Sequence, residues 1–289
     1  MNLMTAFVAA LLNSFDIGIL LFIIASGLTI VFGVLGILNF AHGALYMAGA
    51  YFLLTLMGTV GMPFWVGVLI APLGVALLAV LIERFLLRRI YHRHPSFGLL
   101  LTFALLLIID DAVRLIWGSG YHIVEPPQLL RGAASLFGVT YPLYSFFTIG
   151  MGILIGIAVW LIFHRTRIGK TVRAAALDPE MAQAVGINVP IVLTVVFGFG
   201  AWLAALGGAL AAPMRTLGPA MGDTIIIESF IVVVIGGLGS FPGALFGALI
   251  LGGIHGFGGR WLAEWNIVLP YIGMALVLLW RPEGLMGRR

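Results

Sequence analysis

Cysteine is absent from the 289 residues, so no disulfide frames the fold and no thiolate holds a metal. Charge is scarce: Asp, Glu, Lys and Arg make up 9% of the chain, against about 25% in a soluble domain. The histidines show no metal-binding spacing such as HExxH, so no metal site is expected. Strict apolar–polar alternation is missing, which argues against an outer-membrane barrel. A basic leader is missing too, because Asp16 is the one charged residue in 1–16. What remains is 62% hydrophobic and rich in glycine, 39 residues in all. No soluble core hides that much apolar surface. A soluble enzyme and a nucleic-acid-binding module are excluded, and the net charge of +4 concerns membrane orientation rather than nucleic acid.

The apolar stretches fall at 17–35, 43–60, 64–87, 97–117, 141–163 and 190–212, with a glycine-broken region at 225–257 and a short span at 266–280. Most suffice for the roughly 20 residues a crossing needs. The expected fold is an all-α polytopic membrane protein, a single transmembrane domain over 1–289 with about eight transmembrane helices. Arg84, Arg88, Arg89 and Arg93 follow the third span; Arg165, Arg167, Lys170 and Arg173 follow the fifth; Arg281, Arg288 and Arg289 close the chain. If all three groups face the cytoplasm, the N-terminus is outside and the C-terminus cytoplasmic. The region 225–257 then crosses twice or not at all: nine spans, or seven plus a re-entrant hairpin. External loops are expected at 118–140 and 213–224, and the main cytoplasmic segment at 164–189. Trp117, Trp202, Trp261, Trp265 and Trp280 near the span ends suit an interfacial belt. Leu38, Gly43, Ala44, Leu45 and Ala48 are echoed 200 positions later by Leu238, Gly243, Ala244, Leu245 and Ala248.

Few motifs remain. The Gly169-Lys-Thr171 triplet lacks the glycine a phosphate loop needs five positions earlier, since residue 164 is His, so this chain is expected to bind no ATP itself. Asp178-Pro-Glu-Met-Ala-Gln-Ala-Val-Gly186 reads as a short helix capped by Asp178, with Pro179 and Glu180 in its first turn and Gly186 ending it. Such a knob suits a soluble partner, or simply joins two spans. Asn39 and His42 mark either a fixed turn or a polar pathway. Gly236, Gly237, Gly239, Ser240 and Gly243 break any helix there, for tight packing or to line a path. Asp110 and Arg114 stand four apart and read as a structural ion pair. Asp110, Asp111 and Glu228 are also the acids an ion-coupled secondary transporter would use, the competing class of function. No catalytic constellation stands out, so the chain is not expected to be an enzyme.

The run Gly27–Tyr51, containing Asn39-Phe-Ala-His-Gly43, resembles the first hairpin of Liv-type branched-chain amino acid permeases. Arg165–Val189 and Gly236–Ala248 are similar to the same family in the same order. The size resembles the shorter of the two permeases such importers use. The resemblance implies an alternating-access permease of the bacterial cytoplasmic (inner) membrane, moving leucine, isoleucine or valine; relatives carry urea, short amides or aromatic acids. It implies four kinds of partner: a second related permease, two cytoplasmic ATPase subunits that hold the ATP, an extracytoplasmic solute-binding protein, and the bilayer. No cofactor belongs to this chain. The family's coupling loop maps onto Asp178, Pro179, Glu180, Ala182 and Gly186, and its pathway or gate onto Asn39, His42 and the glycines near 236–243.

Overall fold

A computed structural model describes residues 3–91 and 93–287. Arg288 and Arg289, named above, lie outside the described residues. The helices in order are α1 (Leu3–Leu35), α2 (Ala41–Gly58), α3 (Phe64–Phe85), α4 (Pro95–Trp117), α5 (Leu143–Arg165), α6 (Arg167–Leu177), α7 (Pro179–Ala184), α8 (Val189–Ala211), α9 (Met221–Gly236), α10 (Phe241–Trp261) and α11 (Leu269–Trp280). Five of them, α1, α3, α5, α8 and α10, are long and apolar enough to cross a membrane. Prolines sit in the first turn of α4, α7, α8, α10 and α11. There the missing amide costs nothing and the fixed φ starts a helix.

Two sequence expectations are corrected. The fold is not purely helical, because the loop after α4 holds an antiparallel hairpin, β1 (Ala133–Leu136) and β2 (Val139–Pro142). Phe137 and Gly138, both at positive φ, make its two-residue turn. The first helix also starts at Leu3 rather than 17. Leu3–Phe15 is almost wholly apolar, and Phe7 stacks obliquely on Phe257 at 5.5 Å, so tertiary packing holds that extension.

α1 is the axis. It packs on α10, α8, α5 and α9, and its middle, from Gly18 to Val31, is buried on every face. Burial all round explains why its hydrophobicity shows no sidedness. Glycine allows the tightest crossing, between α2 and α8. A methyl group on Gly49 would fall on the Ala205 backbone, and one on Gly208 on Tyr46. Helix backbones meet there directly, the small-residue packing that holds helices together where lipid offers no hydrophobic drive.

The expected break at 225–257 is a turn at Gly237–Ser240 between two antiparallel helices, α9 and α10. Gly236 and Gly243 touch backbone to backbone across it, and Ser240 Oγ accepts the Gly243 amide at 3.2 Å. The turn lies beside Gly33 near the end of α1 and against Gly284 and Gly287 of the C-terminal tail. That end of the bundle also carries the ends of α3 and α5, the start of α8, and all three basic groups as far as they are described. The sequence echo maps onto matching places: Leu38 and Leu238 lie in the turns before α2 and α10, and Gly43 and Gly243 lie in the first turns of those helices.

At the other end, Asp16 is buried on α1. It accepts hydrogen bonds from Thr148 Oγ1 at 2.9 Å and Tyr141 Oη at 3.3 Å, and Tyr141 also donates to Asn13 Oδ1 at 2.9 Å. This network fastens β2 and the start of α5 to α1. Burial, and then the Asp16 carboxylate, push the Tyr141 phenol above its usual range.

Candidate functional site

The segment between α5 and α8 folds as two capped helices. Thr166 Oγ1 accepts the Gly169 amide at 3.3 Å, and Asp178 Oδ1 accepts the Met181 amide at 2.9 Å. Gly186, at φ +88°, ends the α7 turn where a side chain would be strained. Ala182 is buried with Ala175 and Val189, which rivets α7 to α6 and α8. Glu180 and Met181 point outward. Pro179 opens α7, so the five residues of this motif build one rigid exposed knob on the basic end.

The residues mapped to a gate divide. His42 is fully buried, and its Nε2 lies 2.8 Å from the Ile24 carbonyl, so it joins α2 to α1. Asn39 is buried where the chain runs extended between α1 and α2, and its Oδ1 has no partner. Gly36, at φ +66°, ends α1, and Thr102 Oγ1 of α4 donates to the exposed Leu38 carbonyl at 3.1 Å. Gly236, Gly237 and Gly243 close the α9–α10 turn. Gly239 and Ser240 line a cavity of about 600 Å³ with Thr29, His164, Arg173 and Phe241. Arg173 donates to the Phe163 carbonyl at its edge.

A different feature spans the bundle. α4 and α9 both pack on α2 yet scarcely touch each other, and α2 is buried on every face from Ala41 to Tyr51. Phe40, at the start of α2, has its ring 6.1 Å from Phe103 of α4 and 5.0 Å from Phe230 of α9. Asp110 lies seven residues further along α4 from Phe103, and Asp223 seven residues back along α9 from Phe230. Steps of three and four residues keep one helix face. The same faces therefore carry Leu107 and Ile227 between these layers, 50% and 45% exposed. Each of these two helix faces carries an aromatic residue, an aliphatic residue and an acid in turn.

Asp110 is 5% exposed, and its Oδ1 has no partner. Arg114 lies 3.4 Å from its Oδ2 and 3.9 Å from Asp111 Oδ1. This pair stays within α4 and joins no second element. With the Arg114 side chain half exposed, it contributes little to stability. Tyr51 of α2 is fully buried with an unpartnered phenol. Its ring packs on Trp117 at 5.3 Å. Glu228 lies 3.4 Å from His255 Nε2 on α10.

Comparison with known proteins fits this architecture. Residues 10–278 match the family model described as branched-chain amino acid transport system / permease component. The chain belongs to this permease family. It is 29% identical to the high-affinity branched-chain amino acid transport system permease protein BraD of Pseudomonas aeruginosa, covering 96% of this chain and 95% of that one. Against LivH of Escherichia coli K12, a permease protein of the same description, identity is 29%, with 98% and 96% covered. A probable branched-chain amino acid transport permease protein LivH of Methanocaldococcus jannaschii is 30% identical, over 93% and 89%. Among solved structures, PsaBC from Streptococcus pneumoniae in complex with Fab matches with TM-score 0.50 at 14% identity, covering 92% and 90%. That likeness speaks for the fold alone.

Several residues of this permease escaped sequence reading. Phe103, Phe230 and Asp223 became visible only once α4 and α9 were set on α2. Glu83 is different. A lone carboxylate inside the 64–87 span was a legible signal, and the structure shows it fully buried between two donors, Tyr91 Oη at 2.8 Å and Thr194 Oγ1 at 2.6 Å. Burial and the Glu83 charge hold the Tyr91 phenol above its usual range.

Proposed function

We propose that this chain is the membrane-crossing permease subunit of an ATP-binding-cassette importer for branched-chain amino acids. It works in the bacterial cytoplasmic membrane with a second related permease, two ATPase subunits and an extracytoplasmic binding protein. Nine helices, α1–α5 and α8–α11, cross in this reading, with the N-terminus outside and the basic end in the cytoplasm. The short helices α9 and α11 complete the count that the positive-inside rule requires.

The observation that carries this reading is the knob of α7 on the basic end of a chain that matches the permease family over nearly its whole length. A short helix locked to α8 by Ala182 transmits a push from a cytoplasmic ATPase directly into a long helix. α8 in turn packs on α1, α2 and α3, so the push reaches the centre of the bundle. Separate ATPases also account for the incomplete phosphate loop at Gly169–Thr171.

The test is affinity purification of the tagged subunit in mild detergent. The wild type brings down a second permease and two ATPases. Glu180→Lys with Gly186→Val keeps membrane insertion and loses the ATPases. Normal copurification by that variant overturns the coupling role of α7.

A further inference from the structure

We infer that an anionic glycerophospholipid of the cytoplasmic leaflet binds between α1, α5 and α10, with its phosphate in the cavity beside Arg173 and an acyl chain in the apolar groove that continues from it. This goes beyond the importer reading and rests on it only in placing the basic end in the cytoplasm.

The groove is the first argument. α5 and α10 flank α1 and leave an apolar space of about 350 Å³. Its floor is Ile19 and Phe22 of α1, and its walls include Ile157 and Trp160 of α5 and Leu245 of α10. Ile157 and Trp160 are 53% and 39% exposed, so the space opens sideways towards the bilayer. Phe241 and Pro242, in the first turn of α10, line both this groove and the 600 Å³ cavity at the basic end. On α5 the groove takes Ile153, Ile157 and Trp160, and the cavity takes His164. Steps of four, three and four residues stay on one side of a helix. Those 11 residues rise about 16 Å, the depth of one leaflet in a hydrocarbon core about 30 Å thick.

The second argument is the polar end. Arg173 lines the cavity and donates one N–H to the Phe163 carbonyl. That bond holds the guanidinium at the edge and leaves its remaining N–H groups for a phosphate, which their planar fork suits. Lys170 lies one turn away on the same face of α6. Thr29 lines the cavity from α1. It is 1% exposed, and its Oγ1 has no partner, which is costly unless an acceptor arrives. Ser240 Oγ accepts the Gly243 amide, so its own O–H remains to donate. No Asp or Glu is among the residues lining either space.

Charge and continuity together select the occupant. A free phosphate makes no use of the groove, and a neutral lipid makes none of the guanidinium. Basic pockets between spans on the cytoplasmic side suit anionic headgroups. His164 stacks on Trp160 with ring centroids 5.3 Å apart, which joins the rim of the cavity to the wall of the groove at headgroup level. A phosphate held there bridges α6, α1 and the α9–α10 turn. α6 leads directly into α7, so the lipid braces the segment that carries the knob.

The test is native mass spectrometry of the full-length subunit, purified in mild detergent with the partners it carries. It is incubated with an equimolar mixture of phosphatidylglycerol and phosphatidylcholine. The wild type is expected to retain one phosphatidylglycerol with about tenfold preference, the scale of one or two basic groups beside a headgroup. Lys170→Gln with Arg173→Gln brings the preference to about unity, and Arg173→Lys keeps it. Arg84→Gln, at the same end but outside the cavity, leaves it unchanged. Leu245→Trp fills the groove and lowers retention with every basic residue in place. Glycerol 3-phosphate in excess displaces no lipid.

A wild type without preference overturns the proposal, as does an equal loss in Arg84→Gln. Displacement by glycerol 3-phosphate also overturns it, because the cavity would then serve a soluble anion. So does a lipid held by the isolated subunit but absent when ATPases are bound, because the cavity would then belong to a partner chain. The importer reading fails separately. If the wild type brings down no ATPases, that reading falls, whatever lipid the subunit holds.

Discussion

Removing the Glu83 carboxylate is expected to loosen the joint between the α3–α4 turn and the base of α8. Glu83 is wholly buried and accepts from Tyr91 at 2.8 Å and Thr194 at 2.6 Å. Hydrogen bonds to a charged group are worth about 1.5–3 kcal/mol each. The two losses are unequal. Thr194 can turn to the Pro190 carbonyl, 3.0 Å away, whereas no other acceptor stands beside the Tyr91 hydroxyl among the bonds described. Glu83→Ala therefore costs about 3 kcal/mol, and Glu83→Gln, which still offers one carbonyl oxygen to Tyr91, costs about 1 kcal/mol. For a chain of this size each kcal/mol moves the midpoint by about 2–4 °C. In a thermal-stability assay of the detergent-purified subunit, followed by size-exclusion chromatography, the alanine variant should melt about 6–12 °C low and the glutamine variant about 2–4 °C low. An alanine variant within 2 °C of wild type, on the order of the shift from 1 kcal/mol, refutes the reasoning. So does a glutamine variant as weak as alanine, because that would assign the effect to charge alone rather than to the two donors.

Two further outcomes test the packing. Gly49→Leu drives a side chain into the Ala205 backbone at the α2–α8 crossing, and is expected to abolish recovery of folded subunit, while Gly58→Leu, with open space around it, leaves recovery unchanged; equal yields would show that the crossing tolerates separation. Phe40→Ala removes the ring that bridges Phe103 and Phe230, and the detergent-purified subunit is then expected to melt below wild type; an unchanged midpoint would show that the aromatic bridge does not hold α4 and α9 to α2.

Much of the fold was open to reading from sequence because hydrocarbon imposes a simple rule. Helices must satisfy their backbone internally, so long apolar runs bounded by Pro and Gly announced themselves. Prolines mark the starts of α3, α4, α8 and α10, just before the helix or in its first turn. The reading failed where tertiary contact overrides hydropathy. Residues 3–16 carry Asn13 and Asp16, and fall outside the first apolar stretch at 17–35. Asp16 is instead tied by Thr148 and Tyr141, which lets the helix run on. The small hairpin at 133–142 is part of the same tie. Its Tyr141 supplies a donor to Asp16, a partner 125 residues away that no local pattern reveals.

The site was half legible for a related reason. Asp110 and Arg114 stood out because charge is rare in such a chain, and their spacing suggested that they neutralise each other. Geometry changes that account. The pair lies along one helix and joins no second element. What binds α4 and α9 to the bundle is apolar: the two helices flank α2, and Phe103 of one and Phe230 of the other meet the same ring, Phe40. Each of those faces taken alone is an ordinary apolar helix face. The Asn39-Phe-Ala-His-Gly43 motif shows how one short stretch ties several helices at once: His42 and Gly43 fix α2 against α1 and α9, and in doing so they set Phe40 between Phe103 and Phe230. A substitution at His42 should therefore loosen α4 and α9 as well as α1, through the position of that ring.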